Sequence, residues 1–515
     1  MANPFRLGLE DSQRVEPCVV VIFGATGDLT HRKLVPALYN LGVDGFLPAN
    51  FSLIGFARRE LTDVDFRTGL KKSVSEFSRR KPLNEAIWNE FAAHSYFVSS
   101  SFDKPEGYAV LKERLDRIDA DAGVKCNRVF YFATAPEYFE PSARNLAQAG
   151  LLETAPSGGP GRKSRVIVEK PFGHDLESAR ELNRSLVQCM SEDQIFRIDH
   201  YLGKETVQNI LVFRFSNGIF EPIWNHKYID HVQISVCESI GVEGRAGYFD
   251  KAGILRDIVQ NHALQLLCLV GLEPPIAFEA DAVRDEKVKV LRSIRRIPVE
   301  EVQSKVVRAR YQTGSVAGQL VPGYLAEPGV DPNSTTETYV AMELSIDNWR
   351  WAGVPFFVRA GKRLAKRVTE ISVHFKNVPH LLFKNEDVGS LRPNILSFQI
   401  QPDEGIAFKI LSKPPGPKVR VQSVNMEFAY GTSFGVEAPE AYERLLLDGM
   451  RGDATLFTRD DEIEEAWDLL ENIFRAWKRK EGTTPPVFGY EAGSWGPSAA
   501  DELLLKKVRQ GWRRL

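Results

Sequence analysis

Residues 197–205 read RIDHYLGKE, which sets a carboxylate, an imidazole, a phenol and an ammonium between Asp199 and Glu205. The run QIFRI ahead of them has strand character, so Asp199, His200, Tyr201 and Lys204 fall at a strand's carboxyl end. Ligands dock at such ends in open α/β sheets. Three donors around one point suit a phosphate dianion, and the adjacent acid suits orienting a catalytic base.

A second polar cluster is RDIVQNH at 256–262, inside DKAGILRDIVQNHALQLLCL. Helical spacing places Ile258 and Leu266 on the face of His262. Alone, such a histidine reads as a core residue satisfied by one carbonyl. Here Asp257, Gln260, Asn261 and His262 crowd polar groups onto a helix otherwise apolar through Ile254, Leu255, Val259, Leu264 and Leu267. Buried polar groups need partners, and a bound sugar would supply them.

Two shorter segments add cations. EKPFG (169–173) ends an apolar run, aiming Lys170 at a cofactor crevice with Pro171 suited to a fixed turn, cis included. RAGKR (359–363) ends another run, with Arg367 close behind. Either would ordinarily be a solvated strand end.

The nucleotide signal is GATGDLT (24–30), between the apolar run PCVVVIFG and the helical segment HRKLVPALYNLG. Gly24 and Gly27 permit a tight turn against a pyrophosphate at a helix amino terminus. This is less than the full GxGxxG pattern, and Pro36 requires the helix to start late or kink. After the second strand stand Arg58 and Arg59 rather than an acid. Neighbouring arginines are usually solvated, but at this position two guanidiniums suit a ribose 2′-phosphate, favouring NADP over NAD.

Positioning these groups takes two kinds of architecture. Apolar runs at 17–24, 51–58, 127–134 and 164–171 alternate with helical patterns, which implies a parallel, doubly wound α/β sheet of Rossmann-like type. HDLESARELNRSLVQCM is one such helix, with Asp175 as its cap. SGGPGRK (157–163) reads as a loop. Beyond about residue 199, strand-like segments at 231–239, 338–346, 355–362, 370–377, 394–400, 406–412 and 419–430 follow with few helices between the later ones. They predict an α+β domain with a mostly antiparallel, meandering sheet. DDEIEEAWDLLENIFRAW (460–477) is a closing helix with Ile463, Trp467, Leu470, Phe474 and Trp477 on one face. The division is 1–198 for the coenzyme and 199–515 for substrate and assembly.

Composition narrows the class. With 66 basic and 68 acidic residues among 515, the net charge of −2 gives no argument for nucleic-acid or membrane partners, none of which is expected, and any anionic ligand must be met by a local cluster. No run approaches the roughly 18 apolar residues of a spanning helix, and the amino terminus lacks a signal or transit pattern. Five scattered cysteines suggest reduced thiols and a cytoplasmic protein without a metal site.

In order along the chain, GATGDLTHRKL, FAR, EKPFG, RIDHYLGKE, CES, RDIVQNH, FVRAGK and AYERLLLDG resemble the motifs of the glucose-6-phosphate dehydrogenases, across roughly residues 18–500. That resemblance implies oxidation of the C1 hydroxyl of β-D-glucose 6-phosphate to the 6-phosphoglucono-lactone, with hydride passing to NADP, as the first step of the oxidative pentose phosphate pathway. It assigns His262 as general base and Asp199 as its orienting carboxylate. His200, Tyr201 and Lys204 would bind the phosphate. Lys170, Glu238, Asp257 and Lys362 would hold the sugar, and Arg367 would also bind substrate. Gly24, Gly27, Asp28, Leu29, Arg58, Ala133 and Lys170 would line the cofactor. A homodimer or homotetramer built through the large sheet is also implied. Some members hold a second, structural NADP using a Lys after the position of Arg367. This chain has Val368 there, so that site is not carried over.

Two rivals stay open at this point. A sugar dehydrogenase of the glucose–fructose oxidoreductase class shares EKP but has no need of HYLGK. A non-catalytic homologue could assemble with or regulate a true dehydrogenase, although intact Asp199, His262 and Lys170 argue against decay.

Overall fold

The run CVVVIF forms β1 (Cys18–Phe23), every residue of which is buried, as expected for a strand covered by helices on both faces. The computed structural model describes residues 15–153, 163–378, 393–417, 421–434, 439–479, 484–508 and 510–515. Of the loop expected at 157–163, all but Lys163 lies outside the described residues.

β1 pairs in parallel with β2 (Phe51–Ala57) and β4 (Asn127–Phe132). β3 (Ser95–Ser99), β5 (Ser164–Val168) and β6 (Ile195–Ile198) extend the sheet in the order β6-β5-β4-β1-β2-β3. That is a doubly wound nucleotide-binding order, and its direction reverses between β1 and β4, where a ligand crevice is expected. Asp175 caps the helix Leu176–Val187 by accepting from the Ser178 N–H at 2.9 Å. The helix Asp460–Trp477 buries Ile463, Trp467, Leu470 and Phe474, and Trp467 Nε1 donates to the Phe172 carbonyl at 2.9 Å, holding the EKPFG turn. Just before that helix, a two-residue strand, Phe457–Thr458, joins the first sheet antiparallel to β6.

Among the described residues the second sheet has nine strands: β7 (Ile229–Cys237), β8 (Val306–Gln312), β11 (Tyr339–Ser345), β12 (Pro355–Gly361), β13 (Val368–Phe375), β14 (Ile395–Gln401), β15 (Gly405–Ser412), β16 (Gln422–Ala429) and β18 (Val487–Glu491). A small hairpin of β9 (Gly314–Val316) and β10 (Gln319–Val321) stands apart from it, and Phe457–Thr458 is β17. The meander expectation holds from β13 to β16 and again for the antiparallel neighbours β11 and β12, but it is broken between those two runs. β7 lies between β12 and β13, parallel to β12, and β18 is parallel to β8. Pairing between strands more than a hundred residues apart is decided by tertiary packing, which local alternation does not encode.

The insertion of β7 matters for the site. Because β7 and β12 run the same way, Glu238 and Lys362 leave the sheet side by side, with the Glu238 N–H bonded to the Gly361 carbonyl at 2.9 Å. β13 starts at the same edge, and Thr369 lies opposite Gln401, the last residue of β14.

The segment bearing His262 is helical from Ala246 to Gly271 apart from a break at Gly253, and Leu255–Ala263 winds in wide π-type turns rather than the α-turns expected from spacing. Such turns free backbone groups and are frequent at functional sites. The carboxyl end of this helix is closed by side chains. The Arg214 guanidinium donates to the carbonyls of Leu269, Val270 and Leu272 at 2.9–3.0 Å, and Trp351 Nε1 donates to that of Gly271 at 2.8 Å. These contacts satisfy carbonyls that would otherwise be orphaned at a buried helix end.

Candidate active site

β1 ends in the turn at Gly24, whose φ of +86° favours glycine. A Cβ there would lie 2.3 Å from the Ala133 carbonyl oxygen, at the end of β4, so only glycine lets the two strand ends close together. The Gly27 N–H closes the turn on the Gly24 carbonyl at 2.9 Å, and Thr30 Oγ1 donates to the same carbonyl at 3.1 Å. The helix beyond opens with wide turns at Thr30–Leu34, and the regular helix runs Val35–Val43 with Pro36 in its first turn. Pro36 therefore sits just past the wide turns, inside a helical stretch already under way at Asp28, rather than at a helix start. Leu29 packs half-buried against the core, and exposed Asp28 accepts from Arg32 Nε at 2.7 Å. Arg58 and Arg59 are exposed beyond the end of β2.

At the end of β6, buried Asp199 accepts from His262 Nδ1 at 2.5 Å and from the Tyr201 N–H at 2.9 Å. A carboxylate bonded to Nδ1 requires the proton on that nitrogen, which leaves Nε2 as the acceptor. Lys170 Nζ lies 3.2 Å from Nε2 and also donates to Asp257, at 2.9 Å to its carbonyl and 3.3 Å to Oδ1. That carbonyl lies within the wide turns. The Lys170–Pro171 peptide is cis. Lys362 Nζ continues the line, 3.8 Å from Asp257 Oδ2 and 2.5 Å from Glu238 Oε2. Asp199, Asp257, His262 and Lys362 are all buried.

The electrostatics fit a base. Burial lowers the pKa of His262, Asp199 opposes that, and Lys170 adds to it, leaving the imidazole neutral at neutral pH. Burial pushes Asp199 up, but His262 and its hydrogen bond hold the carboxyl well below the usual range. Asp257, also pushed up by burial, is drawn down to about 2 by Lys170 and Lys362.

Beside the base is a cationic pocket. The Tyr201 ring stacks on His262 with centroids 4.3 Å apart, and the His200 ring meets His262 edge-on at 4.6 Å. Lys204 Nζ sits 4.4 Å above the Tyr201 ring and donates to Gln401 Oε1 at 2.5 Å. Gln401 Nε2 donates to the Tyr201 hydroxyl at 3.2 Å and to Thr369 Oγ1 at 3.0 Å. Arg367 is exposed at the rim, close enough to depress the pKa of Lys204. Asp199, His200 and His262 offer ligand atoms within 4.8 Å of one another. With one imidazole nitrogen engaged by Asp199 and the Lys170 ammonium at the other, that trio is a poor home for a dication.

Two family models match in succession: the glucose-6-phosphate dehydrogenase NAD binding domain over residues 21–209 and the glucose-6-phosphate dehydrogenase C-terminal domain over 211–513. The chain belongs to the glucose-6-phosphate dehydrogenase family. It is 46% identical over 500 residues to a glucose-6-phosphate 1-dehydrogenase of Chlamydia muridarum, covering 96% of this chain and 97% of that one. It is 45% identical over 498 residues to glucose-6-phosphate 1-dehydrogenase 2 of Mycobacterium tuberculosis, covering 97% and 95%. A solved glucose-6-phosphate dehydrogenase in complex with glucose 6-phosphate is similar with a TM-score of 0.87 and 36% identity, covering 98% of this chain and 99% of the other. The Mycobacterium avium enzyme gives a TM-score of 0.81 and 34% identity, covering 97% and 99%.

In this glucose-6-phosphate dehydrogenase family member, sequence reasoning missed Gln401 and Thr369, which brace Tyr201 and Lys204. It also missed the role of Glu169, whose Oε1 accepts from Tyr131 at 2.6 Å and from Tyr442 at 3.2 Å behind Lys170. A single Gln or Thr at a strand end carries no local signal. Glu169 lay within the EKP motif, and Tyr442 within AYERLLLDG, so both were visible as types but not as partners.

The pocket also carries a pH dependence. Burial first, then Arg367, lower Lys204 to about 8, with Glu404 and Asp199 pulling the other way. Its ammonium is present below that pH and lost as pH rises through it. A sugar phosphate is a dianion above roughly pH 6. The KM for glucose 6-phosphate should therefore rise above pH 8, while the KM for the dinucleotide changes little. Parallel rises in both constants would contradict this assignment of Lys204.

Proposed function

We propose that this protein oxidises C1 of β-D-glucose 6-phosphate with NADP as hydride acceptor, through His262 as general base. The observation that carries this reading is the line Asp199–His262–Lys170 beside the pocket of His200, Tyr201 and Lys204. As the C1–H bond gives up its hydride, the C1 hydroxyl proton passes to His262 Nε2 and the C=O bond of the lactone forms. Ionised Asp199 holds the ring by Nδ1 and stabilises the imidazolium that results. His200, Tyr201, Lys204 and Arg367 take the phosphate. Lys170, Glu238, Asp257 and Lys362 take the sugar oxygens, so remote binding energy can orient C1.

The residues at the crevice fit a dinucleotide. Gly24, Gly27, Asp28, Leu29, Ala133 and Lys170 would hold it at the β1–β4 switch point, and the Gly24 turn leaves no room for a side chain. Bound there, NADP supplies the acceptor for the C1 hydride. Exposed Arg58, which makes no ion pair among the described residues, is positioned for a 2′-phosphate. Arg58→Ala should weaken NADP by about 10- to 150-fold, the loss of one charge-assisted hydrogen bond, and NAD far less. Equal losses for both dinucleotides in binding titrations would contradict that role.

Assembly into a homodimer or homotetramer through the second sheet is part of the same proposal. It is supported by edge strand β16, which leaves Val424 and Met426 40% and 60% exposed. We also divide the chain at residues 1–198 and 199–515, supported by the change from parallel to mostly antiparallel pairing. A cytoplasmic location is supported by five cysteines that all remain thiols. No helix among the described residues is long and apolar enough to cross a membrane.

A further inference from the structure

Glu337 is a buried carboxylate just ahead of β11 that none of the substrate contacts uses. It belongs to Ser334–Thr338, a short polar run laid against the helix that leads to His262. Ser334 Oγ donates to Asp250 Oδ1 and Thr336 Oγ1 to the Asp250 carbonyl, both at 2.5 Å. The Ile254 N–H donates to the Glu337 carbonyl and the Leu255 N–H to Glu337 Oε1, both at 3.1 Å. These two N–H groups open the wide-turn segment that carries Asp257 and His262.

The fit at this point is close. Gly253 has a φ of +71°, and a Cβ on it would lie 2.3 Å from Glu337 Oε1. The carboxylate therefore lies directly on the bare Cα of Gly253. The next residue reaches the opposite side of the sugar site. The Thr338 carbonyl accepts from the Lys362 N–H at 3.0 Å, and Tyr490 donates to the Lys362 carbonyl at 2.6 Å while lying 3.0 Å from Thr338 Oγ1. Two adjacent residues thus fix the base segment and the sugar-binding lysine relative to each other.

We propose that Glu337 is a positioning residue, setting Asp257 and His262 against Lys362 through the Leu255 N–H and the Gly253 contact. The inference rests on the reading of His262 as the base. Stability alone is a poor explanation for a carboxylate here. Burial raises its pKa, with backbone N–H groups, Arg256 and Arg308 only partly opposing. A folded-state pKa above the ordinary value means that ionisation at neutral pH favours the unfolded chain.

The test compares Glu337→Gln, Glu337→Ala and Glu337→Met in the full chain, with NADP titration counting folded sites. Glu337→Gln keeps a carbonyl acceptor for Leu255 and should retain kcat within about twofold. Glu337→Ala should lower kcat by about 10- to 100-fold, the scale expected when reacting groups shift by an ångström or less. The KM for NADP should hold, and the acid limb of the pH profile should move up toward 6.5 as a loosened His262 gains water. Should Glu337→Ala fail to fold, Glu337→Met preserves the volume without the acceptor and should show the same loss. An Ala or Met variant with the parent's kcat and acid limb per folded site overturns the proposal, as does a Gln variant as impaired as Ala. A parent protein inactive on glucose 6-phosphate would instead contradict the function, and this inference would fall with it.

Discussion

His262→Asn should lower kcat by about 10²- to 10⁴-fold in a protein that still folds and binds NADP, because a positioned general base contributes on that scale. Asn preserves a polar side chain of similar reach toward Asp199 but offers no basic nitrogen at the position of Nε2. Asp199→Asn should cause much of the same loss, since it removes the charge that fixes the Nδ1 tautomer, and the double variant should be little worse than either single one. The 2.5 Å contact between the two groups and their complete burial make them one unit. Stopped-flow or steady-state NADPH formation, normalised to folded protein by circular dichroism, checks this. Unfolding with normal turnover per remaining folded molecule would mean that His262 is a core histidine only.

Replacing His200 and Lys204 together by Ala should reduce kcat/KM for glucose 6-phosphate by about 10²- to 10⁴-fold. That follows from losing two charge-assisted hydrogen bonds of about 1.5–3 kcal/mol each. The loss should fall mainly on the phosphorylated substrate. Lys204 is braced by Gln401 and by the Tyr201 ring, so its ammonium is already in place before the anion arrives. His200 is held neutral by burial and by the cations around it, and a dianion would raise its pKa again. Equal losses on phosphorylated and unphosphorylated sugar would place the phosphate elsewhere.

How much of this was legible beforehand depended on locality. Asp199, His200, Tyr201 and Lys204 lie within six residues, so their shared strand end could be read directly, and the doubly wound sheet followed from strands alternating with helices. His262 was legible because a polar cluster on an apolar helix has to be satisfied. Its wide turns were not, and the residues that bond to them, Lys170 and Glu337, lie far away in sequence. β3 escaped because SYFVS is short and half polar, and Phe457–Thr458 because a two-residue strand has no period. The position of β7 between β12 and β13 was hidden for another reason. Alternation marks which face of a strand is buried but says nothing about which neighbour it takes. Gln401 and Thr369 became functional only through that topology, which brings the start of β13 and the end of β14 to Tyr201.

The most direct test is the ratio of kcat/KM for glucose 6-phosphate to that for free glucose, measured with NADP on the unmodified protein. Buried donors left without their anion make discrimination steep, so the ratio should be about 10³ or greater. Comparable turnover of glucose and its 6-phosphate would contradict the phosphate pocket and favour a dehydrogenase of unphosphorylated sugar. No turnover of either substrate with NADP or NAD would contradict the assignment of His262 and Asp199 as a working pair.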